Sequence, residues 1–479
     1  MITSKRFLSP VSQKGPRISV YWCLLLVTSG WVLILLLYFK QSSQQLLELS
    51  TSAIAKLAQS STNSTTTATP KNAVIAATPR AATPRTPPTI ATTTVAAAGN
   101  RHLGHVHVVF STDCEPYQDW QTLVMFQSAV RVGQRGPVTR IASGCSEDKK
   151  QALTALYAKL YPQFSAHFTP DFKHDNKTNR KYAFYNKPWG LRHWLENAQP
   201  AVPEDEVVVL LDPDMIFLRP ITSQIRGNQN NLHRKKYAPA SLQEYVSLGR
   251  PVAQEYGLGA PWTNDQHLKF NRSAVCPPGS PCLSVQRPFG EEHYSVGPPY
   301  LLVKADFHRL ALVWTDFVPR VYAFYPYLLA EMYAYSMAAA HAGLPHLQME
   351  QYMVSNVEAG AEGWPWVDAL PDVCLPAEGG VFFPGRPVPS VLHYCQTFST
   401  GPHRFYKGAH RDAAFLSCSS PRMPTLAPGL GRIDLKAISW DKERERFKAA
   451  RQAKRGGFAI SILYQVLNWT IEHYQAKMC

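Results

Sequence analysis

Asp212, Pro213 and Asp214 follow directly on the apolar run Val207–Leu211. Carboxylates at positions i and i+2 of an extended chain project to the same side, so Asp212 and Asp214 are spaced to share one cation. Hard divalent ions such as Mn²⁺ or Mg²⁺ take one or two protein carboxylates and fill their remaining positions with water and phosphate oxygens. Such an ion neutralises charge on a departing diphosphate, which is what a nucleotide-sugar donor requires. Asp and Pro are also common turn residues, so the triplet alone would serve equally to turn the chain after a buried strand.

Other side chains fit the same chemistry. Lys187 and Lys407 are candidate point charges for a diphosphate, the alternative for each being a solvated surface lysine. Glu331 lies among Met, Tyr and Ala on a helical pattern, where an unpaired carboxylate is costly to bury; it is the candidate for orienting an acceptor or for acid–base work. A Glu bonded to nearby backbone would explain it as well. Ser111, Thr112 and Asp113 end the first strand-like run, at the loop where a Rossmann-like sheet holds its nucleotide, and are candidates for uridine or ribose contacts.

The elements that must position these groups read as alternating strands and helices. Residues 105–112, 138–143, 164–169 and 207–211 are strand-like, and 119–132, 147–160 and 189–197 carry helical spacing between them. Such alternation argues for an open, mostly parallel α/β sheet with flanking helices and ligands beyond the carboxyl ends of its strands. Residues 222–299 are rich in Pro, Gly, Asn and Gln and read as an insertion without assignable elements. Further helices are expected at 305–317 and 327–342, and strands at 300–303 and 391–394. Cys114 and Cys145 each follow neighbouring strands and are spaced for a disulfide; Cys276 and Cys282 can close a small loop.

The N-terminal hundred residues have another character. Ile18 to Phe39 carries no charged side chain and is long enough to cross a hydrocarbon layer of about 30 Å. Lys5, Arg6, Lys14 and Arg17 precede it without acidic neighbours, so the positive-inside bias leaves the N-terminus cytosolic and the rest luminal. The expected organisation is a cytosolic tail (1–17), a signal anchor (18–39) and a Ser/Thr/Pro/Ala-rich, disordered stem (40–101). A luminal catalytic head (102–420) and a basic, amphipathic helical extension (421–479) follow. Asn63, Asn176, Asn271 and Asn468 match the N-glycosylation pattern. Forty-nine Lys and Arg against 34 Asp and Glu give a formal charge of +15. In a secretory lumen that balance points to anionic substrates and away from nucleic acid.

Several blocks carry a family resemblance: Phe110 to Gln121, Asn186-Lys-Pro-Trp189 with Trp194-Leu195-Glu196, Leu211 to Met215, Glu331 to Tyr335, and His393-Tyr394. Together they resemble the plant and algal hydroxyproline O-arabinosyltransferase and peptidyl-serine α-galactosyltransferase family, over roughly Val106 to Phe415. The resemblance implies a GT-A type fold, a UDP-sugar donor, and a hydroxyproline- or serine-rich secretory glycoprotein as acceptor. By the same resemblance Asp212 and Asp214 match the metal-binding pair. His393 is similar to the late histidine that completes the metal site, a neutral imidazole being suited to Mn²⁺. The first block is closer to the serine galactosyltransferases, while Asn-Lys-Pro-Trp and Asp-Pro-Asp are closer to the arabinosyltransferases, so donor and acceptor stay open between arabinose and galactose, hydroxyproline and serine. The family linkages imply retention at the anomeric carbon. The expected protein is thus a metal-dependent, single-pass type II glycosyltransferase of the Golgi or ER membrane. The alternatives are a catalytically silent glycoprotein- or carbohydrate-binding head and a metal-dependent nucleotide hydrolase.

Overall fold

A computed structural model of the chain describes residues 104–479 apart from 176, 226–241, 265–270, 361 and 412–414. The expected tail, anchor and stem all lie outside the described residues. Among the described residues no helix is long and apolar enough to cross a membrane.

Strand β1 (His107–Asp113) runs parallel to β2 (Val138–Ser143), β2 to β3 (Ser165–Thr169), and β1 to β4 (Val207–Leu211). The helices α1 (Pro116–Val132), α2 (Glu147–Leu160) and α3 (Asn186–Asn197) make the crossovers. Their ends are marked locally. Pro116 opens α1, where a missing N–H costs nothing. Gly133 closes it in the left-handed region at φ 68°, with its N–H turned back to the Ala129 and Val130 carbonyls. Ser146 caps α2 by accepting from the Lys149 N–H.

The segment expected to be an unassignable insertion supplies a strand of the same sheet. After β5 (Met215–Phe217), β6 (Val252–Glu255) pairs antiparallel with β7 (Val296–Val303), and β7 pairs antiparallel with β4. With β8 (Leu347–Met349) parallel to β6, the order is β8-β6-β7-β4-β1-β2-β3, a mixed and parallel-rich sheet of seven strands. Alternation along the strands divides the core in two. Val108, Phe110, Val207, Val209 and Leu211 face one layer; Val109, Val208 and Leu210 face the other, against α3, α4 (Lys304–Phe324) and α5 (Ala330–His341). A second, smaller sheet joins β5 to β10 (Val391–His393), antiparallel, and β10 to β9 (Met353–Val354).

The last helix, α6 (Arg444–Met478), belongs to the first of these layers: Phe458, Ile460, Ile462, Leu463, Val466 and Leu467 are buried in it. Two of its basic residues are internal anchors. Lys454 Nζ donates to the carbonyls of Asp368, Leu370 and Ile433, and Arg455 pairs with the Asp368 carboxylate. Asn468, one of the four glycosylation matches, has its amide bonded both ways to the Met423 backbone. At Gly456 an added Cβ would lie 2.3 Å from the Ser399 carbonyl oxygen. Gly456→Ala is therefore expected to destabilise by about 1–3 kcal/mol through overpacking, outweighing the roughly 0.5–1 kcal/mol that alanine gains over glycine inside a helix. Urea midpoints measure this, and a variant more stable than the parent would show that α6 does not pack so closely.

Candidate functional site

Asp212 and Asp214 do not alternate along a strand. Strand β4 ends at Leu211, the chain turns through Asp212-Pro213-Asp214, and β5 leaves the main sheet for the smaller one. The turn, rather than the pleat, brings the two carboxylates together. Strand β10 completes the arrangement: His393 pairs in register with Met215, and the Tyr394 N–H donates to the Asp214 carbonyl at 2.9 Å, fixing the turn against β10. His393 Nε2 then stands 3.2 Å from Asp214 Oδ1 and 3.9 Å from Asp212 Oδ2. One ligand atom from each of the three side chains lies within 4.8 Å of the others. Ligands about 2.1 Å from a small divalent ion sit roughly 3 Å apart when adjacent, so the donor set needs only a small contraction to close on an ion.

The remaining carboxylate oxygens are held by lysines. Lys187 Nζ is 2.7 Å from Asp212 Oδ1 and 3.0 Å from Glu331 Oε1, and the Lys407 ammonium pairs with Asp214 Oδ2. Each aspartate thus gives one oxygen to a lysine and turns the other toward His393. Lys187, the candidate diphosphate contact whose alternative was a solvated surface lysine, is a buried bridge between Asp212 and Glu331.

Burial and pairing oppose each other throughout. Burial raises the Asp214 pKa, but His393 and Lys407 overrule it and hold the carboxyl well below its usual range. Burial works against the Lys187 ammonium, yet Asp212 and Glu331 hold its pKa above the ordinary lysine value. For Glu331 burial wins: its pKa is raised although Lys187 lowers it. Burial likewise disfavours a charged His393, and the Cys395 thiol and Asp214 carboxylate reverse the balance, raising its pKa well above the ordinary value. Four buried polar atoms around this centre have no hydrogen-bond partner: Glu331 Oε2, His393 Nδ1, and the hydroxyls of Tyr300 and Tyr394.

The register Phe110↔Leu211 sets the end of β1 beside the end of β4, so Ser111, Thr112 and Asp113 share the sheet edge with Asp212. Their side chains serve the fold there. Ser111 Oγ donates to the Asn186 carbonyl; Thr112 Oγ1 donates to the Ile141 carbonyl and accepts from buried Arg140; Asp113 Oδ1 accepts the Glu115 N–H ahead of α1. The expected disulfides Cys114–Cys145 and Cys276–Cys282 are both present. A third, Cys418–Cys479, spans 61 residues, too far for strand adjacency to suggest it.

Sequence reasoning missed the side chains that hold the segment following Lys407. Trp120 Nε1 donates to the His410 carbonyl at 2.7 Å, Arg411 lies over the Tyr117 ring, and Trp120 stacks on Tyr394. Tyr117 and Trp120 stand in the first resemblance block, which was the available signal. Cys395, two residues beyond His393, is a free thiol with no such signal.

Residues 106–249 match the Hydroxyproline O-arabinosyltransferase family N-terminal domain. The chain is 28% identical over 309 residues to a peptidyl serine alpha-galactosyltransferase of Arabidopsis thaliana, covering 64% of this chain and 32% of that protein. It is 28% identical over 330 residues to the peptidyl serine alpha-galactosyltransferase of Chlamydomonas reinhardtii, covering 65% and 37%. To the hydroxyproline O-arabinosyltransferase NOD3 of Pisum sativum it is 23% identical over 259 residues, covering 52% and 64%. The matches span about a third of the length of the two galactosyltransferases.

Proposed function

We propose, from the premise that this chain belongs over residues 106–249 to the hydroxyproline O-arabinosyltransferase family, that it is a GT-A type glycosyltransferase. It moves arabinose or galactose from a UDP-sugar to a hydroxyproline or serine hydroxyl of a secretory glycoprotein. The observation that carries this reading is the convergence of Asp212 Oδ2, Asp214 Oδ1 and His393 Nε2 at the carboxyl end of the central strand. Two carboxylates and an imidazole suit Mn²⁺, with Mg²⁺ the harder alternative. The partnerless Glu331 Oε2 marks the same place as polar beyond what the fold uses.

When bound, the ion supplies Lewis-acid stabilisation of a diphosphate leaving group. The chain's own groups do the rest. Lys187 fixes Asp212 from behind. Lys407, whose side chain keeps 23% of its surface exposed, is the cation able to turn from Asp214 to a phosphate oxygen. Glu331 holds Lys187 through Oε1 and leaves Oε2 for an acceptor hydroxyl. Ser111 and Asp113 line the edge where the nucleoside would lie, while Thr112 is the least available of the expected contacts.

Three disulfides among the described residues suit an oxidising compartment. That supports a luminal head in the Golgi or ER, held by residues 18–39 as a type II anchor. The test is to offer the purified full-length chain a panel of UDP-sugars, with Mn²⁺ or with chelator, in the presence and absence of serine- or hydroxyproline-containing peptides. Transfer that requires both peptide and metal is expected. Sugar binding without turnover of any donor would favour the catalytically silent alternative, and release of phosphate independent of an acceptor would favour a hydrolase.

A further inference from the structure

Three exposed large apolar side chains gather around Tyr182, beside the candidate site. Tyr327 retains 64% of its surface, Leu328 62% and Phe184 41%. They come from two segments, the turn between α4 and α5 and the short turn before α3. Tyr182 joins these segments: its ring stacks on Tyr322 at 4.3 Å and packs against Phe184 at 5.3 Å, and its hydroxyl donates to the Leu328 carbonyl at 2.7 Å. Tyr325 adds its ring against Tyr327 at 4.9 Å. The result is an aromatic ledge on a rigid base, where isolated exposed apolar residues would need no explanation.

The ledge is continuous with the site. The Tyr182 hydroxyl that accepts nothing from Leu328 but donates to it also accepts the Glu331 N–H at 3.2 Å. Glu331 in turn holds Lys187, and Lys187 holds Asp212. Leu328 precedes Glu331 by only three residues, so whatever lies on the ledge reaches the acceptor side of the carboxylate cluster within a few residues.

Its charge is as informative as its shape. In a chain of formal charge +15, residues 322–330 (Tyr-Ala-Phe-Tyr-Pro-Tyr-Leu-Leu-Ala) and 182–186 (Tyr-Ala-Phe-Tyr-Asn) carry no charged side chain. The matching occupant is an uncharged, extended segment with rings to lay against aromatic faces. Proline-type helices meet that description: they rise about 3.1 Å per residue, have no internal hydrogen bonds, and dock on aromatic-lined surfaces with little ordering cost.

We infer that the ledge formed by Phe184, Tyr325, Tyr327 and Leu328 is the docking surface for the proline- or hydroxyproline-rich stretch flanking the acceptor residue of the peptide substrate. The inference rests on the reading of this chain as a glycosyltransferase acting on protein hydroxyls. It adds that recognition extends beyond the modified residue to its uncharged, extended neighbours.

The test uses the full-length chain and a fluorescently labelled ten-residue peptide of proline and hydroxyproline with one serine. Binding is followed by anisotropy, with UDP binding and oligomeric state measured in parallel. The double variant Tyr327→Ala/Leu328→Ser changes two exposed side chains and is expected to weaken peptide binding at least about tenfold, with UDP binding retained. A glycine–serine peptide of equal length should bind both proteins equally weakly. Equal peptide affinity in parent and variant, or no peptide binding by the parent, overturns the inference. So does a parent dimer that the variant dissociates while peptide affinity is unchanged, since the ledge would then be covered by a second copy. Ledge-dependent peptide binding in a protein that turns over no UDP-sugar would sustain the surface while removing the transferase reading.

Discussion

Asp214→Asn is expected to abolish Mn²⁺-assisted UDP binding and to lower stability by about 2–4 kcal/mol. The residue is 5% exposed and holds two cationic partners, His393 and Lys407. Neutralising it leaves both facing a side chain without charge. Lys407 can escape partly to water, which puts the cost below that of a fully enclosed pair; His393, buried, cannot. Asp212→Asn makes the contrast: with 22% of its side chain exposed, Asp212 should lose the metal function at a smaller cost in stability.

The pH dependence follows from the sign of the Asp214 shift. Its pKa is depressed in the folded state, so its contribution is present above the unfolded value of about 3.9 and fades as pH falls toward the folded value. The stability gap between parent and Asp214→Asn should therefore narrow below about pH 4. Calorimetric titration of UDP with Mn²⁺, and urea denaturation across pH, are the measurements. Undiminished manganese-dependent UDP uptake by Asp214→Asn would remove this residue from the ligand set.

The second large effect is expected at Lys187. Lys187→Met removes the cation shared by Asp212 and Glu331 and strands two carboxylates, one of them 4% exposed. Breaking a buried pair from one side costs about 3–5 kcal/mol. Most of that is the penalty of the orphaned charge, so adding Glu331→Gln should restore part of the loss. Lys187→Met and Glu331→Gln are accordingly non-additive, with a coupling of about 2 kcal/mol, within the range seen for groups in direct contact. Because the Lys187 pKa is raised, its own contribution is complete below about pH 10; because burial raises the Glu331 pKa, the coupling should be at least as large at pH 8 as at pH 6. Denaturation of the four proteins tests this; additive losses would mean that the two side chains do not share a bridge.

The strands that could be read from sequence are those whose composition reports their surroundings. Val207–Leu211 and Val138–Ser143 are buried on both faces, and their apolar or β-branched runs coincide with the observed bounds. Val252–Glu255 carries Gln and Glu into full burial, and β7 begins Val-Gly-Pro-Pro. Polar residues and prolines both argue against a central strand. The sheet accommodates the prolines at an irregularity: β6 pairs Val252 and Ala253 with Leu301 and Tyr300, then skips to pair Gln254 and Glu255 with Gly297 and Val296. Pro298 and Pro299 fall in the skipped stretch, where no ladder N–H is asked of them.

At the site, the acidic pair and Glu331 were legible because charged residues stood out against apolar neighbours. The partnership of Lys187 with both of them was not, since contacts across 144 residues leave no trace in local spacing. The smaller sheet was hidden for a related reason. Strands of two or three residues carry too few side chains to show a period.

His393 reaches Asp214 only because β10 pairs with β5 across about 180 residues of intervening chain. The segment 106–249 holds Lys187, Asp212 and Asp214, while Glu331, His393 and Lys407 come later. A ribosome that has released only the first half of the head has therefore delivered acids and one base without their closing partners. The candidate site is then complete only once the last long-range pairing has formed: a nascent or nicked molecule lacking that pairing would hold no Asp–Asp–His cluster, however intact its central strands.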